Sequence, residues 1–411
     1  MKHQNLKNSP FNIIVLVAAL GYFVDVYDLI LFSIVRVPSL RSLGLQGDEL
    51  TNISVNLLNI QMLGMLLGGI LWGILGDKKG RLSILFLTIL LYSLANIANG
   101  MVQTINQYYV LRFFAGLGLA GELGIGITLV SEVMPKETRG YGTTLVSGVG
   151  IAGAILGFWV ADIFDWRMAY YVGGGLGLVL LVLRISLYES GMYSRLKETK
   201  IKKGHFLSLF QHKKMFSKYL KCILMGVPVW YVIAILVTFA PELGSENGLH
   251  VNGIILGGKA VMYFYIGGSL GSFIFGLVSE WLRSRKKAIL IALSTLTISI
   301  ILFFLAEGVS TTLFYFILFI VGLQTGYWAV FVTTASEQFG TNIRATVTTT
   351  VPNFVRGATI LVTTVFGWLK STTPGIIGSA IIVGVIVMTL AFYATLKIEE
   401  TYHKDLDYYD A

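Results

Sequence analysis

The sequence predicts an all-α membrane protein of twelve transmembrane helices, arranged as two six-helix, pseudo-symmetric bundles. Three observations lead there. First, 55% of the 411 residues are hydrophobic and only 13% charged, with a mean hydropathy of +0.74, whereas a soluble domain carries about 25% charged residues. Second, apolar residues come in runs of roughly 18–25, enough to cross about 30 Å of hydrocarbon as helix; examples are 11–35, 83–98 and 288–306. Third, the glycine and charge pattern of one half recurs in the other. Backbone polar groups in lipid need internal partners, so such runs are helices, and the alternating pattern of barrel strands is missing.

Taken in order, the spans fall near 11–36, 52–75, 82–99, 106–130, 142–162 and 168–188 in the first half. In the second they fall near 219–240, 253–277, 287–306, 312–335, 346–369 and 376–396. Residues 1–10 are polar and precede a run long enough to be a span, unlike a cleavable leader. Of the 31 Lys and Arg, 24 lie in segments sharing a side with the N-terminus, and four (Arg36, Arg41, Arg167 and Lys370) lie opposite. Both termini are therefore expected in the cytoplasm, most simply of a bacterial inner membrane. The net charge of +9 is then a topology signal and an anionic-lipid contact, not a nucleic-acid footprint. The Lys-rich stretch 188–218 is expected to be a cytoplasmic linker, with an interfacial helix at 205–216, between bundles 1–187 and 219–411. Cys222 is the single cysteine, which excludes an internal disulfide. There is no His/Cys cluster for zinc and no phosphate-cradling loop of an ATP-driven pump. No cofactor or metal is expected, and the chain is not read as an enzyme.

The repeat has two parts. Gly64, Gly68, Gly73 and Asp77 recur as Gly267, Gly271, Gly276 and Glu280. Gly121, Ser131, Glu132 and Arg139 recur as Gly326, Ser336, Glu337 and Arg344. Each part falls at the same place in its half: the second helix with its following turn, then the fourth with its following turn. Parallel halves imply a pseudo-two-fold axis along the membrane normal and a site at their interface.

The turn Gly73-Ile-Leu-Gly76-Asp77-Lys78-Lys79-Gly80-Arg81 is the most specific signal. Its glycines allow close helix approach, Asp77 suits a helix N-terminus, and its cations hold the turn at the cytoplasmic face. It resembles the motif between the second and third helices of the major facilitator superfamily, where that turn latches the outward-open state. The resemblance gives Gly73, Asp77, Lys78, Gly80 and Arg81 a latch role, shared with Glu132, Arg139, Glu280, Glu337 and Arg344. The copy from Gly276 to Lys287 is degenerate. The segments Arg112-Phe-Phe-Ala-Gly116-Leu-Gly118-Leu-Ala-Gly121-Glu122 and Glu132-Val-Met-Pro135-Lys-Glu-Thr-Arg139-Gly140, with Trp166-Arg167, are similar to the branch of metabolite:proton symporters and organic-ion transporters. Ala120 stands where that branch has a glycine. The fifth helix lacks the Gly-Pro pair of drug antiporters, which shifts weight from antiport to symport.

Charges inside spans cost about 2.5–3.5 kcal/mol each on insertion scales and so ask for a reason. Asp25 and Asp28 share one face of the first helix with Gly21, Phe32 and Arg36. Arg112 enters the fourth helix at the depth of Asp28; in the proton-coupled sugar porters that this chain resembles at both positions, such a pair couples protons. The other reading is a static buried ion pair. Glu122, deeper on the fourth helix, is a second proton site, a partner for a substrate amine, or a structural hydrogen bond. Arg356, near the midplane of the eleventh helix, reads as a carboxylate clamp, since related organic-ion transporters choose substrate sign there; the alternative is a partner for Glu122 or a carbonyl. Lys259 is expected to snorkel outward. Tyr27, Gln61, Trp230, Tyr231, Tyr263, Gln324, Tyr327 and Trp328 are the aromatic and amide candidates for the pocket wall, the pair Tyr327-Trp328 with Gln324 foremost, although such aromatics also anchor or pack. The resemblance implies alternating-access symport of protons with a small organic acid or zwitterion, by a monomer in the bilayer. The alternatives are a proton-driven exporter or antiporter of a drug, siderophore or metabolite, and a non-transporting receptor.

Overall fold

The computed structural model describes residues 13–79, 81–134, 138–189, 206, 208–340, 343–371 and 375–404. They form twelve rods. The first six are α1 (Ile13–Ser42), α2 (Gly47–Lys79), α3 (Arg81–Asn99), α4 (Ile105–Leu119 then Glu122–Val133), α5 (Arg139–Ile151 then Gly153–Ile163) and α6 (Trp166–Glu189). The second six are α7 (Lys213–Tyr231 then a π-helical Val232–Val237), α8 (Gly257–Trp281), α9 (Arg285–Phe304), α10 (Thr311–Thr325 then Trp328–Glu337), α11 (Arg344–Lys370) and α12 (Gly375–Lys397). Nine rods are long and apolar enough to cross a membrane by length and composition. Of the others, α3 has only a short apolar stretch, α4 is broken into two short helices, and α11 is rich in Thr and carries Asn353 and Arg356.

The end carrying the 78–81 and 283–287 turns is the inner face on the charge rule; the opposite end is the outer face. Local chemistry starts the rods. Thr104 and Gln107 form a reciprocal capping box at α4, and Ser284 and Ser310 cap α9 and α10 through Lys287 N and Leu313 N.

The glycine repeat is a packing repeat. Gly64 and Gly68 of α2 lie against the α4 backbone at Phe113 and Leu117, and Gly267 and Gly271 of α8 lie against the α10 backbone at Phe319 and Leu323. A Cβ at any of these would collide with a main-chain carbonyl, so close helix approach requires the glycine. Gly121 and Gly326 mark the equivalent breaks in α4 and α10. The halves meet along α2 with α11 and α5 with α8.

Two expected boundaries move, and one charge changes its place. Rod α1 continues to Ser42, so Arg36 is a buried helical residue, not a loop charge. Rod α6 runs to Glu189, as expected, yet Arg184, counted among the cytoplasmic charges, lies inside the bundle at 3% exposure. The interfacial helix expected at 205–216 is only Ser208–Gln211, and residues from Lys213 belong to α7. Most of the expected linker lies outside the described residues.

Candidate functional site

A small cavity of about 30 Å³ lies between the halves, walled by Tyr22, Val26 and Leu29 of α1, Trp230 of α7, Phe264 and Tyr265 of α8, Trp328 of α10 and Arg356 of α11, among others. Contacts between the halves flank it on both sides. On the outer side Arg36 donates to the Thr238 carbonyl from Nε (3.1 Å) and Nη2 (2.8 Å) and forms an ion pair with Glu242 at 2.7 Å. Its guanidinium also covers the Phe239 ring, and Thr238 Oγ1 donates to Ser33 Oγ at 3.2 Å. The Thr238 carbonyl lies just past the π-helical segment, where the chain leaves the helix. On the inner side Asn353 of α11 donates to the Ala120 carbonyl at 2.7 Å. Ser269 of α8 donates to the Gly148 carbonyl at 2.7 Å, and the Thr143 and Thr333 hydroxyls pair at 3.0 Å. Each of these contacts joins one half to the other. Beyond the outer closure a vestibule of about 1100 Å³ opens, lined by Arg36, Arg41, Asp162, Asp165, Glu246, His250 and Lys259 among others. Lys259 sits there at the start of α8, as a snorkelling lysine should.

Arg356 is 1% exposed. Its Nη1 donates to Asn353 Oδ1 at 3.2 Å, and its guanidinium stands 5.8 Å from the Trp230 ring centre. Nε and Nη2 have no internal acceptor. A buried guanidinium costs several kcal/mol to desolvate, and these two donors beside the cavity do not offset that cost with an internal hydrogen bond. Asp25 lies within electrostatic reach of it but accepts no hydrogen bond.

Of the expected pocket residues, Trp230, Trp328 and Arg356 line the cavity. Four tyrosines do not. Tyr27 donates to the Ala169 carbonyl (2.8 Å), Tyr231 to Ala380 (2.8 Å) and Tyr327 to Met225 (3.0 Å); each hydroxyl ties two helices inside one half. Tyr263 stacks on Tyr315 and is 37% exposed. Gln324 accepts from Thr295 at 2.7 Å, facing α9 rather than the cleft. Gln61 accepts from Arg112 and donates to the Leu29 carbonyl at 3.3 Å. The sequence reading missed Tyr22, Phe264 and Tyr265. Tyr22, Val26 and Leu29 form a stripe one position along from Gly21, Asp25 and Asp28, a spacing that could have found them.

Asp28 and Arg112 are both fully buried, and they do not form a closed ion pair. Arg112 is held by Gln61 and sits 4.8 Å over the Phe32 ring, while neither Asp28 oxygen has a partner. Glu122 forms a buried ion pair with Arg184, and Arg184 also reaches the Val17 carbonyl at 3.4 Å. In this structure the partner of Glu122 is Arg184, a residue counted among the cytoplasmic charges, and not Arg356.

At the inner face Arg285 links Glu280 (2.7 Å) and Glu337 (3.5 Å), against the α5 backbone at Gly140. Thr401 and Tyr402 donate to Glu337 and Glu280 (2.9 and 3.1 Å), so the C-terminal segment belongs to this cluster. Burial pushes the Glu400 carboxyl up, but the Ser284 hydroxyl and the N–H groups of Tyr402, Arg285 and Thr401 outweigh it and hold the group below the usual carboxylate range. Gly73 packs near Thr350 of α11. Asp77, Lys78, Glu132 and Arg139 lie in or at the ends of helices, and Arg81 opens α3, but their side chains and Gly80 lie outside the described residues. Arg344 opens α11 and is buried.

Comparison with known proteins agrees with this architecture. A probable 4-methylmuconolactone transporter of Cupriavidus pinatubonensis is 27% identical over 79% of this chain and 76% of its own. A putative niacin/nicotinamide transporter of Bacillus subtilis is 27% identical over 83% and 84%. The solved structure of a proton:xylose symporter superposes with a TM-score of 0.72 at 15% identity, covering 96% of this chain and 97% of that one. The sequence profile of the Major Facilitator Superfamily matches residues 18–363, and the chain belongs to that family: it is a multi-pass membrane transporter of small organic substrates, not an enzyme.

Proposed function

We propose that the chain imports a small, planar organic carboxylate, free or within a zwitterion, in symport with protons by alternating access. The observation that carries this reading is Arg356: a fully buried guanidinium at the seam of the halves, with two N–H groups unspent and an aromatic wall of Tyr22, Trp230, Phe264 and Trp328 around it. The fork takes a carboxylate bidentately, and flat rings suit a flat, unsaturated substrate. The names of the relatives, specifying 4-methylmuconolactone and niacin/nicotinamide, support small unsaturated compounds of this kind.

Proton coupling rests on Asp28, Arg112 and Gln61. The open pair is the arrangement expected with Asp28 protonated, when Arg112 turns to the neutral Gln61 amide. Loss of the proton restores a carboxylate that competes for Arg112. The two protonation states then favour different helix positions, which is the differential interaction coupling requires. The charge bias supports cytoplasmic termini, the bacterial sources of the relatives support a bacterial inner membrane, and a site contained within one chain supports action as a monomer.

A thermal-shift screen of the purified protein tests the substrate class, because a ligand that binds the native state raises its apparent stability. Planar monocarboxylates should raise Tm, and their primary amides should not. Equal shifts from an acid and its amide would exclude a carboxylate receptor.

A further inference from the structure

The face of α1 opposite the cleft carries a second feature, which the substrate route does not use. Asp28 points into the first six-helix half, not into the cavity that Tyr22, Val26 and Leu29 line. It faces Asn96 of α3, whose amide is near enough to act on its carboxyl, and abuts the backbone of Gly173 on α6. One turn further inward on α6, Gly177 abuts Ser93 and Tyr92 of α3. One turn outward on α3 is Asn99, the last residue of that rod. Asn99, Asn96, Ser93 and Tyr92 thus form one line along α3, all fully buried. By helix rise it descends about 10 Å from the outer end. Its top adjoins the 100–104 turn, where Met101 is 61% exposed.

Every side-chain nitrogen and oxygen of Asn99, Asn96, Ser93, Tyr92 and Asp28 lacks a protein partner. Each such group left dry costs about 1–3 kcal/mol, and native proteins meet groups of this kind with ordered water. The charged groups around the line are Asp25, Glu122, Arg112 and Arg184, with Tyr27 and Tyr170 the other titratable neighbours. Glu122 and Arg184 neutralise each other.

We propose that this polar face of α3 is a hydrated proton-entry path from the outer 100–104 turn to Asp28, separated from the substrate cleft by α1. Water is the ligand, held by the Asn99 and Asn96 amides and the Ser93 and Tyr92 hydroxyls. A proton from outer water passes along hydrogen-bonded waters; each water accepts one proton and gives one up. The last passes its proton to the Asp28 carboxylate, which becomes the neutral acid. The path rests on the symport reading given above. Its consequence is that substrate and proton reach the protein by different doors, so blocking one leaves the other open.

The test replaces water-holding amides by apolar side chains of similar size, Asn96→Leu and Asn99→Leu, in proteoliposomes. Exchanging an unpartnered buried amide for a hydrocarbon is neutral or stabilising, so Tm should hold or rise. Substrate counterflow should stay within twofold of the wild type, while substrate-driven proton uptake falls at least tenfold. Asn96→Ser, small and still polar, should restore most of it. Proton uptake at the wild-type rate in both Leu variants overturns the path, as does a parallel loss of Tm, counterflow and coupling, which marks a structural role. No substrate-linked proton movement in the wild type overturns the symport reading itself and the path with it.

Discussion

Arg356→Lys and Arg356→Ala probe the receptor most sharply. The wild-type side chain brings two N–H donors that nothing in the protein uses. Hydrogen bonds to a charged group are worth about 1.5–3 kcal/mol each, so a bidentate carboxylate draws about 3–6 kcal/mol from the pair. At about 1.4 kcal/mol per tenfold, Arg356→Ala should weaken carboxylate binding by at least roughly a hundredfold. Lysine keeps the charge but offers a point ammonium in place of a planar fork. Losing one of the two bonds should cost about 1.5–3 kcal/mol, or roughly ten- to a hundredfold in Kd, without a change of preferred substrate sign. Calorimetric titration of detergent-purified variants reads these values directly. Both variants should melt near the wild type, since the hydrogen bond they lose, from Arg356 to Asn353, is long at 3.2 Å. An Arg356→Ala protein that binds the carboxylate with wild-type affinity, or a lysine variant indistinguishable from arginine, refutes the receptor argument.

Four further outcomes follow from the same geometry. Asp28→Asn, a permanent mimic of the protonated acid, should lose uphill accumulation yet retain counterflow; full uphill uptake would move the proton site to Asp25. Glu242→Gln removes the ionic closure at Arg36, so a cysteine at Ile34, which lines the vestibule, should react several-fold faster with an impermeant maleimide in a Cys222→Ser background. Arg184→Leu strands Glu122 in the bundle and should cost about 3–5 kcal/mol of stability, partly recovered in Arg184→Leu with Glu122→Gln; equal melting of single and double variants would show that the pair carries no weight. Glu400 has a lowered folded-state pKa, so its hold on the α9 start is complete above its ordinary value of 4.5 and is lost as pH falls through the lower folded value; accordingly, Glu400→Gln should lower Tm at pH 7, and the deficit should shrink as pH falls below 4.5.

The sequence made the architecture legible because membrane crossing writes itself in composition and length. The glycine repeat and the Lys/Arg bias then supplied the two halves and an orientation. The charged residues Asp25, Asp28, Arg112, Glu122 and Arg356 stood out because each is costly in lipid. Facing was the harder question. In a bundle most helices are apolar all round, so periodicity does not separate the cleft from the interior of one half. That is why Tyr27, Tyr231 and Tyr327, whose hydroxyls reach backbone carbonyls, read as pocket residues, while Tyr22 and Tyr265 went unnoticed. Span boundaries were the other weak point. Arg36 and Arg184 each sat within a few residues of a boundary and were counted as loop charges, although one closes the outer face and the other neutralises Glu122.

The central claim is symport, and simultaneous recording of proton and substrate flux in one proteoliposome preparation tests it most directly. With the membrane potential clamped at zero and an outwardly buffered pH indicator inside, adding the carboxylate outside should acidify the lumen in step with substrate entry, at a fixed ratio. An acid-outside gradient should also drive the substrate above its external concentration. Alkalinisation of the lumen during substrate entry, or substrate flux with no proton movement, would contradict the account.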